Sequence, residues 1–142
     1  MRKSEKSLWA TMRANNKSQD HVINLTRVEN MAAEGMPDVY CRTFSSECWV
    51  ELKVAKEPKR KITRVMCRDG LNLTQRNWHI KHSAYGLKSY VLLRVNMNNG
   101  CHKLFLLPSK FARDMNDFGM ETLMLSSVAM TWKNIFSILR KT

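Results

Sequence analysis

The chain has 142 residues, enough for one hydrophobic core. Its 24 Lys and Arg against 12 Asp and Glu leave a net charge of +12, which points to a polyanionic partner, because cationic side chains release counterions from a phosphate backbone. No run of about 18 apolar residues is present, which excludes a membrane-spanning helix, and the charged amino-terminus MRKSEKSLWATMRANN lacks the apolar stretch of a secretory signal, so a cytoplasmic protein with reduced thiols is expected.

Lys3 to Asn15 reads as an amphipathic helix with Leu8, Trp9 and Met12 on one face. His21 to Val28 reads as a strand, and Asn30 to Met36 as a loop that delivers the chain to Asp38. Val39 to Cys41 and Cys48 to Val54 are β-branched and aromatic and flank the polar turn Ser45-Ser46-Glu47, which predicts a hairpin. Alternation along the second strand points Cys48, Val50, Leu52 and Val54 at the core and Trp49, Glu51 and Lys53 the other way. Pro58 cannot donate to a ladder, so that strand ends before Glu57-Pro58-Lys59-Arg60-Lys61, a solvent-facing loop expected to be flexible.

Asn72 to Ser83 reads as a helix with Thr74 as its N-cap and Gly86 beyond its end. His79 and His82, three apart on it, read as surface residues. Ser89 to Val95 is nearly continuous apolar and predicts a buried strand. Asn98-Asn99-Gly100 turns the chain back into a strand over His102 to Leu107. Pro108-Ser109 opens a helical region in which Val128, Trp132, Ile135, Phe136 and Leu139 recur at helical spacing, as core or dimer surface. The order of helix, three strands, helix, strand pair and helices predicts an α/β (mixed α+β) fold, with a central mixed sheet flanked by helices. One domain is expected over residues 1–142, with a core of about 3–107 and a helical region of about 108–142. Cys41, Cys48, Cys67 and Cys101 form no CxxC pair and, with the four histidines, complete no zinc pattern. Cys48 reads as a small buried hydrophobe.

Charge is unevenly spread. Lys53 to Arg68 holds seven basic residues against Glu57 alone, and Gly70 to Arg113 holds seven basic residues and no acid. Glu29, Glu34, Asp38, Glu47 and Glu51 cluster in one short region instead. An acidic cluster inside a basic protein makes sense where a cation neutralises the carboxylates and the surrounding surface grips phosphates. Glu51 and Lys53 share one strand face, and Asp38 stands at the start of the neighbouring strand. Two convergent carboxylates suit a hard divalent cation such as Mg²⁺, and a nearby Lys serves an attacking water or a developing phosphate charge.

Gly35-Met36-Pro37-Asp38 followed by Glu51-Leu52-Lys53 resembles the signature of the PD-(D/E)xK nuclease superfamily, and within it the Holliday-junction-resolvase-like and VRR-NUC branch, including small phage-encoded members. The resemblance covers roughly residues 3 to 95. It implies a restriction-endonuclease-like αβββαβ core and a Mg²⁺- or Mn²⁺-dependent phosphodiesterase acting on DNA. Asp38 and Glu51 would hold the metal with the backbone carbonyl of Leu52, and Lys53 would assist the attacking water. It also implies an acidic residue on a helix before the first strand, for which Glu5 and Glu29 compete, and a Gln on the later helix, matched by Gln75. Lys56, Lys59, Arg60, Lys61, Arg64 and Arg76 are the expected DNA contacts. Branched DNA is the implied substrate, and two coordinated cuts imply a homodimer. The rival readings are a non-catalytic basic DNA-binding module that keeps the fold, and a basic structural protein of a nucleoprotein particle.

Overall fold

The computed structural model describes residues 2–28 and 34–141. The chain runs α1 (Lys3–Lys17), β1 (Asn24–Arg27), β2 (Val39–Arg42), β3 (Glu47–Lys56), α2 (Leu73–Ala84), β4 (Ser89–Asn96), β5 (His102–Pro108), α3 (Met120–Ser126) and α4 (Trp132–Lys141). The five strands lie in sequence order in one sheet. Only the β3–β4 pair is parallel, because α2 carries the chain back between them; the other pairs are antiparallel.

Both sheet faces are covered. On one, Val50, Leu52 and Val54 of β3 and Leu92 of β4 pack with Leu8 and Met12 of α1 and Ile135, Phe136 and Leu139 of α4. On the other, Val91, Leu93, Phe105 and Leu107 meet Val65, Met66, Ala112, Met115 and Leu123. The predicted alternation of β3 therefore holds, but Glu51 and Lys53 do not face solvent: they are 1% and 7% exposed. Cys48 is buried as expected, opposite Cys41. Of the carboxy-terminal stripe, Ile135, Phe136 and Leu139 are core, whereas Val128 lies outside α4 in an extended stretch, where its N–H donates to Leu106 O beside a Leu106–Ala129 bridge.

Several local expectations change. The first helix runs through Asn15-Asn16 to Lys17; Asn16 uses both ends of its amide on the backbone of Ile23, at 2.7 and 3.0 Å. The cap of α2 is Asn72, not Thr74: Asn72 Oδ1 accepts from Gln75 N at 2.9 Å, and Gln75 Oε1 accepts from Asn72 N at 3.1 Å. The stretch that follows the Glu57–Lys61 loop is pinned. Val65 N donates to Phe118 O, and the Asn116 side chain bonds both backbone groups of Leu71 at 2.8 and 2.9 Å.

His79 is not a surface residue. It is fully buried against the sheet, with Nδ1 2.8 Å from Ser89 Oγ. Burial, reinforced by His82 and Lys53, brings its pKa down to about 4. A depressed value means that the unfolded chain binds the proton first. Stability is therefore full above the unfolded pKa near 6.5 and is lost as pH falls towards 4. The stability advantage of wild type over His79→Asn should shrink by about 3 kcal/mol between pH 7 and pH 4 in urea unfolding.

Gly35 shows how the segment before β2 is placed. Its φ is +83°, and a Cβ there would lie 2.3 Å from Thr74 O in the first turn of α2. Gly86 also has positive φ, +84°, with open space around it. Gly86→Ala should cost about 1 kcal/mol from backbone strain alone. Gly35→Ala should cost clearly more, read as a larger fall in thermal midpoint, because backbone must move as well.

A candidate metal centre at the end of a strand ladder

The β2–β3 ladder ends at Val39 and Val50, while β3 continues to Lys56. Beyond that point the β3 edge has no β2 residue to pair with. The Asp38 carboxylate takes over, accepting from Leu52 N through Oδ2 at 2.9 Å. Asp38 is itself held by its carbonyl, which accepts from Val28 N at 2.7 Å. The Leu52 side chain is in the core. Its N–H and C=O leave the strand on one edge, so its carbonyl faces the same gap as its N–H.

Into that gap come side chains from four elements or their ends. Glu5 arrives from the first turn of α1, where the helix dipole favours an acid. Asp38, Glu51 and Glu5 each bring a carboxylate oxygen within 4.8 Å of the other two. Lys53 Nζ stands 3.9 Å from Glu51 Oε2 and donates to Gln75 Oε1 at 3.0 Å. These residues, with Arg2 and Met36, line a cavity of about 500 Å³. The expected Glu5, Asp38, Glu51, Lys53 and Gln75 are thus brought together. Glu29 lies outside the described residues.

The electrostatics are demanding. Glu51 Oε1 is buried and has no hydrogen-bond partner among the described residues. Burial first, then the neighbouring Asp38 and Glu5 carboxylates, push the Glu51 carboxyl well above the usual range, with Lys53 opposing. Glu5 is compensated by Arg2, whose Nε donates to Glu5 Oε2 at 2.6 Å while Nη1 reaches Asp69 at 2.8 Å. Those two acids raise the Arg2 pKa. Three oxygen donors from separate elements, one of them buried with an orphaned oxygen, fit a hard divalent cation.

The predicted DNA contacts divide. Lys56, Lys59, Arg60 and Arg64 line an adjoining cavity of about 950 Å³ that shares Arg2 with the first. Arg64 is paired with Asp117 at 3.2 Å. Lys61 is exposed in the same loop without lining that cavity, and Arg76 sits apart on α2 with its Nε buried and without a hydrogen-bond partner among the described residues. Sequence reasoning missed Arg2, Asp69 and Asn72. Arg2 had a signal in its three-residue spacing from Glu5, and Asn72 had one in its three-residue spacing from Gln75.

A raised carboxyl has a definite linkage sign. The stability linked to the Glu51 proton is fully present below the unfolded pKa and is lost as pH rises through the folded value. At pH 8 without metal, Glu51→Gln should therefore melt several degrees above wild type, and the gap should close as pH is lowered. Mn²⁺ at roughly a hundredfold over its Kd should stabilise wild type by about 3 kcal/mol and leave the variant unmoved in a thermal shift experiment.

No protein-family model matches the sequence, and no curated protein does. Among solved structures the fold is similar to that of Hjc, a Holliday junction resolvase from the hyperthermophilic archaeon Archaeoglobus fulgidus. The TM-score is 0.52 over 95% of this chain and 96% of that one, at 13% identity. The likeness shows a restriction-endonuclease-like fold.

Proposed function

We propose that the chain is a metal-dependent endonuclease that hydrolyses DNA phosphodiester bonds, as a single nuclease domain over residues 1–142. The observation that carries this is the convergence of Glu5, Asp38 and Glu51 oxygens within 4.8 Å beside a Lys53 anchored by Gln75. The fold shared with a Holliday junction resolvase supports a branched substrate. The Gly35–Asp38 and Glu51–Lys53 pattern supports the narrower placement near the VRR-NUC branch and its small phage-encoded members.

Asp38, Glu51 and Glu5, with the Leu52 carbonyl, are the residues that would hold Mg²⁺ or Mn²⁺. Bound there, the ion supplies charge neutralisation and Lewis-acid polarisation of the scissile phosphate. Lys53 spends one of its three ammonium protons on Gln75 and keeps two for an attacking water or a phosphate oxygen. Gln75 is a positioning residue: the capping box fixes its carbonyl, and the carbonyl fixes the Lys53 ammonium. The walls of the cavity keep Glu51 out of bulk water, which strengthens each charge interaction around it. Lys56, Lys59, Arg60, Lys61, Arg64 and Arg76 serve as backbone contacts that hold a strand without reading its bases. Cutting a four-way junction takes two such sites, hence a homodimer. No described helix is long and apolar enough to cross a membrane, which agrees with action in the cytoplasm.

The rival is a DNA-binding module without chemistry. It offers no reason to keep a buried carboxylate with an orphaned oxygen, which destabilises the fold when no cation is bound.

Labelled four-way junction, flap, single-stranded and linear duplex DNA, each with Mg²⁺, Mn²⁺ or chelator, separate the two. Metal-dependent cutting is expected, strongest on the junction, and Lys53→Ala should reduce it about 100- to 1000-fold. Gln75→Ala should lose less, because Lys53 remains. Salt-sensitive binding with no cutting in either metal would leave the binding module.

A further inference from the structure

Beside the carboxylate cavity runs a strip of rings that the proposed chemistry does not use. Tyr40 and Trp49 are direct partners across β2 and β3, with ring centroids 4.9 Å apart. Trp49 meets Trp78 of α2 edge-on at 6.0 Å. Trp78 in turn lies against His82, one helical turn further, at 4.1 Å. All four are half-buried.

The strip is keyed to the site residue by residue. Tyr40 is two positions after Asp38, Trp49 two before Glu51, and Trp78 three after Gln75. Two strand residues, or nearly one helical turn, is about 5–7 Å. The rings therefore continue the cavity along the same sheet face. That face is open towards the β1 edge, where Thr26 pairs with Tyr40 and Asn24 with Arg42, and Asn24, Thr26 and Arg42 are exposed.

The strip belongs to a chain of net charge +12. Trp78 and His82 fall in the stretch Gly70–Arg113, which has seven basic residues and no acid. Arg42 Nη1 donates to the Tyr40 hydroxyl at 3.1 Å, and the nearby Glu47 carboxylate is taken up by Tyr40 and Arg42. Half-buried Trp and Tyr rings in a row at the surface call for an occupant with planar faces. The positive setting calls for one that carries negative charge. Nucleobases on a phosphate strand satisfy both. A paired duplex hides its base faces in its own stack, so only unpaired nucleotides can use such a strip.

We propose that Tyr40, Trp49, Trp78 and His82 form a stacking platform for unpaired bases of a DNA strand whose phosphates reach the carboxylate cavity. This makes the strip the surface that selects DNA with unpaired nucleotides, such as flaps and single-stranded arms, over fully paired duplex. The proposal rests on the nuclease reading for the course of the strand, while the stacking itself is independent of cleavage.

The test measures binding of wild-type protein, in chelator, to three labelled DNAs. One is a blunt duplex, one is the same duplex with a single-stranded arm, and one has that arm built from abasic residues, which keep the phosphates and lose the bases. The intact arm should tighten binding over the blunt duplex, and the abasic arm should bind about 5- to 100-fold more weakly than the intact one. Trp78→Met, which keeps apolar bulk without a π-face, should lose the preference for the intact arm and bind blunt duplex unchanged. Equal binding of intact and abasic arms would overturn the proposal, as would a Trp78→Met loss that is the same on all three DNAs. It is also overturned if Trp78→Met turns a dimer into a monomer with DNA binding unaffected, since a second copy would then be the occupant. Absence of cutting with the base dependence intact would remove the nuclease reading alone. Cutting without base dependence would remove the platform alone.

Discussion

The β2–β3 ladder stops at Val39 and Val50 while β3 runs on, and the candidate site depends on that mismatch in length. A strand edge left without a neighbour exposes N–H and C=O groups that must find partners. Asp38 meets that need for Leu52 with its side chain. One interaction thereby ends the ladder, orients a carboxylate and opens a gap in which groups from both faces of the sheet can meet. Glu5 enters from a helix that packs on one face, and Glu51 and Lys53 project from the other.

Charge balance then shapes the neighbourhood. Burying a carboxylate without a full set of donors is costly, and Glu51 is in that position. Arg2 offsets Glu5, and Lys53 partly offsets Glu51. Lys53 is in turn tied to Gln75, whose carbonyl is set by the cap of α2. The first turn of α2 is pressed against Gly35, just upstream of Asp38. The site is therefore a closed circuit of short-range constraints, in which helix capping, a glycine and a strand end each hold the next member. The same face carries the ring strip, so the carboxylate cluster and the strip share three elements.

Much of this was legible in the residues. The alternation of Cys48 to Val54 is a period-two pattern dense enough to fix which side chains share a face, and the hairpin turns carried their own signals in Ser45-Ser46 and Asn98-Asn99-Gly100. Other features were hidden for identifiable reasons. His79 looks like a surface residue because polarity alone says nothing of the Ser89 hydroxyl that waits beneath it. Thr74 and Asn72 are both competent caps, and only the path of the chain into α2 chooses between them. The stretch that follows the Glu57–Lys61 loop is anchored at Leu71 by Asn116, supplied by a segment some 45 positions on, which no local pattern reveals. Val128 matches the helical stripe by spacing, yet its N–H is drawn to the edge of β5 instead.

The sequence by itself determined the order of elements, the basic surface, the faces of β3 and the pairing of Asp38 with Glu51 and Lys53, because local periodicity and residue chemistry act over a few positions. Tertiary structure alone decided that Glu5 joins them, that both faces of β3 are buried, that Arg2 compensates the cluster, and that Tyr40, Trp49 and Trp78 line up beside it. Those outcomes depend on where a ladder ends and how helices pack across it. Such distances between residues remote in the chain are set by the sum of all the packing, not by any one segment.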